Sequence, residues 1–192
     1  MNIVEQFKIL AQFASTDETR PVLQHIYQCP KLKAAVATDG HRLIASPFCY
    51  DETQAKKTIN AKHYLKTKEA YYIEPAMDYP NAAAIIPDEK RYIRSYDIEI
   101  PEWTKRLKPI DNCKVTINQR FDIAIRYTEQ PDDLLFDLNL SLFTPLYGQT
   151  ITMKVIDANS PVYFKVAGTE MFGVVMPLRK YRDWETDRKS VV

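Results

Sequence analysis

Apolar residues recur at helical spacing at the start of the chain. Ile3, Phe7, Leu10 and Phe13 or Ala14 fall on one side, with Asn2, Glu5, Gln6 and Gln12 between them. The spacing predicts an amphipathic helix over 2–15, ended by Ser15-Thr16-Asp17. Strand-like text follows in PVLQHIYQ (21–28), LKAAVAT (32–38) and HRLIAS (41–46). With Asp39-Gly40 as a two-residue type I′ turn, Thr38 faces His41, Val36 faces Leu43 and Ala34 faces Ala45. The opposite face pairs Ala37 with Arg42 and Ala35 with Ile44. Both faces are small or apolar up to the turn, so other elements are expected to cover the hairpin on both sides.

Between 49 and 110 the pattern loosens. This stretch holds Lys56-Lys57, the short strand AYYIEP (70–75), the apolar, linker-like DYPNAAAIIP (78–87) and the cluster EKRYIRSY (89–96). Pro75, Pro80, Pro87, Pro101 and Pro109 punctuate it and disfavour long elements. EWTKRLK (102–108) reads as a short helix after Pro101. Regular text returns with CKVTIN (113–118), FDIAIRYT (121–128) and LLFDLN (134–139), Phe121, Ile123 and Ile125 sharing one face. LSLFTPLYG (140–148) reads as a short helix limited by Pro145 and ended by Gly148. ITMKVID (151–157), PVYFKV (161–166) and MFGVVMPLR (171–179) are three more strands. Two helices with antiparallel sheets make an α+β domain with an irregular middle insertion.

Charge narrows the partners. Across 192 residues, 26 Lys and Arg stand against 25 Asp and Glu. That balance excludes a tight grip on nucleic acid by bulk charge, which needs clustered cations, and leaves room for light contact. Cys29, Cys49 and Cys113 lie far apart, with no CxxC or Cys/His spacing, so neither a metal nor a cofactor is expected. Scattered thiols fit a reducing compartment. Glu5 and Lys8 interrupt the N-terminal apolar run, which is therefore no signal peptide, and no stretch reaches the length of a membrane span. A soluble, cytoplasmic protein is expected.

Asp39 and His41 invite comparison with a catalytic dyad, with Ser46 nearby. An Asp beside a tight turn, however, ordinarily stabilises the turn itself. The chain has no nucleophile elbow, HExxH, P-loop or paired-carboxylate signature, so it is not expected to be an enzyme. The tyrosines and phenylalanines could stack on bases, but Tyr27, Phe121, Tyr163 and Phe164 occupy alternating strand positions, where packing explains them better. KRYIR (90–94) reads by default as a solvated loop, with a phosphate contact as the alternative.

Three segments, in order, resemble the bacterial sliding clamp, the beta subunit of the replicative DNA polymerase. They are RPVLQHIYQ with LKAAVATDGHRLIAS (20–46), DYPNAAAIIP (78–87) and SPVYFKV with MFGVVMPLR (160–179). The resemblance implies a processivity-clamp fold, helices lining a ring around DNA and sheets forming its wall. It divides the chain into a first clamp-like half (1–48), an insertion or linker-like region (49–110) and a second clamp-like half (111–181). Residues 182–192, RDWETDRKSVV, abandon the alternation, and DRKSVV matches a translated sequencing adapter, so a non-native tail is expected there.

In that family the TDGHRL turn and the MPMR end meet at a shallow apolar pocket that captures short peptides of polymerases and repair proteins. Carried over by residue, the resemblance points to Thr38, Gly40, His41, Arg42 and Leu43, together with Val174, Val175, Met176, Pro177, Leu178 and Arg179. Methionine and leucine give an adaptable floor, and Arg and His at the rim suit a peptide backbone or an acidic flank. Lys8, Lys105, Arg106 and Lys108 are the candidate contacts to duplex DNA, weak and independent of sequence. The expected function is a tether that holds a polymerase or repair protein on DNA, with a homo-oligomeric ring as the form that encircles it. The alternative is a monomeric module that binds clamp-binding peptides without DNA.

Overall fold

The first helix, α1, spans Ile3–Phe13. Asn2 caps it: the Asn2 side chain accepts the Glu5 N–H at 2.9 Å, and the Glu5 carboxylate accepts the Asn2 N–H at 2.8 Å. Two otherwise orphaned donors are thereby satisfied. The structure, a computed structural model, describes residues 1–87, 94–100, 113–117, 123–127, 140–156 and 160–177. Phe7, Leu10 and Phe13 are buried as the spacing predicts, whereas Ile3 is exposed. The buried stripe runs instead through Gln6, whose Oε1 accepts the Ser46 hydroxyl at 2.6 Å. A polar residue thus enters the core because a partner meets it there.

Strands β1 (His25–Cys29), β2 (Ala34–Thr38), β3 (Arg42–Ser46) and β4 (Thr58–Asn60) are followed by helix α2 (Ala61–Thr67) and the short strand β5 (Tyr72–Ile73). A single helical turn, α3 (Ala82–Ile85), precedes β6 (Arg94–Glu99), β7 (Cys113–Ile117) and β8 (Ile123–Tyr127). Then come β9 (Thr150–Val155), β10 (Val162–Val166) and β11 (Phe172–Val175). Nine of them form one antiparallel sheet in the order β5-β4-β1-β2-β3-β11-β10-β9-β6, and β7 pairs with β8 alone.

Several elements differ from the sequence pattern. Pro21–Gln24 forms a 3-10 turn before β1 rather than the start of a strand. The helix expected over 140–148 is a 3-10 helix, Leu140–Leu146. Pro145 lies inside it and has no N–H to give an α-helical ladder. The second α-helix of the fold is α2, which the sequence did not announce. Its seven residues, AKHYLKT, carry too few apolar side chains for a helical period, and Asn60 starts it by accepting the His63 N–H at 2.9 Å. The predicted elements at 102–108 and 134–139, residues 90–93 of the basic cluster and the tail lie outside the described residues.

The hairpin is also built differently. Thr38 pairs with Leu43, Ala37 with Ile44 and Val36 with Ala45. Asp39, Gly40 and His41 therefore connect the strands, one residue more than a two-residue turn, and the Asp39 N–H donates to the Arg42 carbonyl at 3.4 Å. Gly40 has φ +94°, and Asp39 does not join it in the left-handed region that a type I′ turn requires. The Asp39 carboxylate holds the loop instead, accepting the N–H groups of His41 at 2.9 Å and Arg42 at 3.1 Å.

Two apolar layers sandwich the sheet. Toward α1 and α2 point Ile26, Ala35, Ala37, Ile44, Phe164 and Val175, with Phe143 of the 3-10 helix meeting Phe164 edge-on at 5.2 Å. The opposite layer holds Val36, Leu43, Ala45, Tyr163 and Val174. Both faces of the hairpin are covered, as its composition predicts. No helix among the described residues is long and apolar enough to cross a membrane.

Candidate functional site

The TDGHRL loop and the VVMP strand meet within one copy of the chain. β3 and β11 are hydrogen-bonded neighbours, with Leu43 opposite Val174 and Arg42 opposite Val175. One residue further on, Met176 donates its N–H to the His41 carbonyl at 2.9 Å. Gly173 permits the approach: a Cβ there would stand 2.1 Å from the Leu43 carbonyl oxygen and 2.6 Å from the Phe164 ring. No side chain fits that gap.

Strand alternation then divides the candidate residues between the two faces of the sheet. Leu43 and Val174 belong to the outer layer, away from the helices. Thr38 and Met176 follow them there by alternation. Arg42 and Val175 face the helices. The Arg42 guanidinium lies 4.3 Å from the centre of the Phe13 ring, donates to the Gln12 carbonyl at 3.0 Å and to the Leu142 carbonyl, and pairs with Asp39 at 2.8 Å. Burial pulls its pKa below the usual value, and Asp39 opposes that shift. Arg42 therefore ties the loop to the end of α1 and to the 3-10 helix. It does not stand at an apolar rim.

The outer-face floor is already covered. Leu43 and Val174 are each 2% exposed, while Met176 is 39% exposed. Ala82 is buried in the same layer, and Ile86 packs against it. Just upstream, Tyr79 stacks on Tyr27 with ring centres 4.8 Å apart, and its hydroxyl reaches the His25 carbonyl at 3.4 Å. Burial raises the Tyr79 phenol well above its ordinary pKa. The linker-like segment thus crosses the outer face, a role that reading it as a linker missed. Its apolar text, AAAIIP, was the available signal.

Of the remaining candidates, Gly40 and His41 are exposed at the loop tip and Pro177 is buried, while Leu178 and Arg179 lie outside the described residues. His41, Asp39, Arg20, Asp17 and Gln12 line an open polar cleft beside the loop. Lys8 is exposed on α1, and Lys62 and Lys66 are exposed one turn apart on α2, two cations the sequence reading passed over. The helices pack side by side, Phe7 against Tyr64 at 5.4 Å. Lys105, Arg106 and Lys108 lie outside the described residues. Among the described residues, no group of three or more His, Cys, Asp or Glu side chains could hold a metal.

The whole arrangement aligns with solved bacterial beta subunits. The Thermotoga maritima DNA polymerase III beta subunit superposes with a TM-score of 0.64 at 16% identity over 93% of this chain. The fold is that of a sliding clamp. The Borrelia burgdorferi subunit, solved in complex with a natural product, gives 0.63 at 13% identity over 93% of this chain. The Helicobacter pylori beta clamp bound to a DNA ligase peptide gives 0.61 at 15% identity over 92%. This chain spans 62–63% of the length of those three clamp chains. No protein-family model and no curated protein matches it.

Proposed function

We propose that this chain is a clamp-like tether that captures a short apolar peptide of a polymerase or repair protein and acts without making or breaking a bond. One observation carries the reading: the TDGHRL loop and the VVMP strand, distant in sequence, are joined edge to edge, with Leu43 opposite Val174 and Met176 bonded to His41. The capture surface would comprise Thr38, Gly40, His41, Leu43, Val174, Met176 and Pro177, with Leu178 and Arg179 following in sequence and Arg42 and Val175 supporting from the far side. Tethering raises a partner's local concentration, so a modest peptide affinity suffices.

Duplex DNA would lie along the exposed side of α1 and α2, against Lys8, Lys62 and Lys66. The contact would be sequence-independent and weak, because few phosphates are neutralised. Enclosing a duplex needs more clamp units than one copy supplies, so a ring would be homo-oligomeric.

Light scattering of the purified chain, with fluorescence-anisotropy titration of a labelled clamp-binding peptide, tests the reading. Saturable binding that weakens in Met176→Ala and His41→Ala supports capture. Binding by a strict monomer that ignores duplex DNA favours the DNA-free module, and no binding at all overturns the proposal.

A further inference from the structure

The pairing of β1 with β2 stops short of the loop. Cys29 stands opposite Ala34, Gln28 opposite Ala35 and Tyr27 opposite Val36, and two positions further the same register brings His25 to Thr38. Gln28 turns both its backbone groups to the far side, donating to the Lys57 carbonyl and accepting from the Lys56 N–H, each at 2.9 Å. Successive residues of a strand direct these groups to opposite sides, so Tyr27 and His25 present theirs to β2. His25 and Thr38 would therefore close the next rung directly. The Tyr79 hydroxyl stands there instead. It donates to the His25 carbonyl at 3.4 Å, and the Thr38 N–H is directed at the same oxygen.

We infer that Tyr79 is a positioning residue for the capture loop: its hydroxyl replaces a rung of the sheet, fixes Thr38 and, through Thr38, sets the turn that follows. The inference deepens the capture reading above and rests on it, and it requires no contact between Tyr79 and the peptide.

Thr38 is the link to the loop. Its hydroxyl donates to the Arg42 carbonyl at 2.6 Å and accepts the Gly40 N–H at 3.1 Å, so both sides of the turn close on one side chain. His41, between them, accepts the Met176 N–H at 2.9 Å. A shift of Thr38 thus passes to Gly40 and His41 and on to the VVMP end. Thr38 is buried, so an N–H that loses its partner there has no ready water to replace it, and an unmet buried donor is costly. A loop released from that position binds only in the fraction of time it returns.

The rung needs an acceptor toward Thr38 and a donor toward His25. A tyrosine supplies both from one oxygen, and a phenylalanine supplies neither. Stacking on Tyr27, with ring centres 4.8 Å apart and planes 12° from parallel, holds that oxygen in place. Burial keeps the phenol protonated beyond its ordinary range, with the Thr38 N–H working the other way, so the donor toward His25 persists through neutral pH. Removing the oxygen alone therefore separates positioning from packing.

Tyr79→Phe, with Tyr27→Phe as a control that keeps the stack and leaves the rung alone, tests this on the full chain. The readouts are anisotropy with a labelled ten-residue peptide carrying a Leu-Phe pair, and amide NMR with hydrogen exchange. Tyr79→Phe should weaken binding about tenfold and move the amide signals of Thr38, Gly40 and His41 in the free protein, whereas Tyr27→Phe does neither. In the parent, the Thr38 amide should exchange as slowly as the ladder amide of Val36. Unchanged affinity in Tyr79→Phe, or loop signals that stay in place, overturns the inference and leaves capture standing, whatever happens to the melting temperature. A parent Thr38 amide that exchanges at an unprotected rate overturns it too, even if the variant does not fold. If the parent itself does not bind the peptide, capture fails and the inference falls with it.

Discussion

Arg42 and Asp39, three residues apart at the hairpin tip, form an ion pair at 2.8 Å with their side chains only 12% and 19% exposed. The same carboxylate accepts two loop N–H groups, and the same guanidinium spans to Gln12 and Leu142. One pair thus shapes the loop and pins it to two other elements.

Removing one partner strands the other. Asp39→Ala leaves a mostly buried guanidinium without its counter-charge and should cost about 2–4 kcal/mol in urea unfolding. Arg42→Lys should recover little, because a point charge cannot reach Gln12, Leu142 and Asp39 together. A loss below about 0.5 kcal/mol for Asp39→Ala, the range of an ordinary surface change, would refute the pinning role.

Gly173→Ala should destabilise the chain by several kcal/mol or prevent folding. The added methyl meets the Leu43 carbonyl, and backbone cannot step aside as a flexible side chain can. Circular dichroism melts check it; a variant as stable as the parent would show that β3 and β11 do not approach so closely.

Cys49 gives a pH test. Burial pushes its thiol from an ordinary value near 9 up to about 11, with a Ser46 hydrogen bond working weakly the other way. The folded state therefore keeps its proton where the unfolded state loses it. That contribution is whole below about pH 9 and is lost as pH climbs toward 11. Stability measured across that window should fall less steeply in Cys49→Ala than in the parent, and parallel curves would exclude the thiol as a cause. In the native protein Cys49 should also resist thiol reagents at neutral pH, since the thiolate is the reactive form.

The helix cations make a further prediction. Reversing Lys8 and Lys66 to Glu should weaken duplex binding without regard to sequence and flatten its salt dependence. An unchanged salt slope would move the DNA contact away from α1 and α2.

Much of this arrangement was legible in the residues, and the misses have physical causes. The hairpin was readable from Asp39-Gly40 between apolar runs, although the loop is longer and the pairing shifts by two positions. Because side chains alternate every residue, a shift of two keeps Leu43 on one face and Ile44 on the other, so the burial pattern survives the error. The family resemblance pointed to a meeting of the loop with the VVMP strand, in one copy or across two, and only the structure puts both in one sheet; periodicity gave no sign of it. Arg42 was misjudged because its spacing cannot reveal an interaction with Leu142, a hundred residues away. α2 escaped because a seven-residue helix shows barely two turns of pattern. The packing of Tyr79, Ala82 and Ile86 on the outer face escaped because apolar text without a period gives no direction in which to face.

The pairing of β3 with β11 also sets an order of events. Ala45 stands opposite Phe172, so the edge of β3 away from β2 has no neighbour until the ribosome has delivered residues from the far end of the chain. Until then the nascent protein displays an apolar, hydrogen-bond-hungry border, the kind that recruits chaperones or sticks to a sibling chain. Slow translation through the intervening hundred-odd residues should therefore lower the soluble yield.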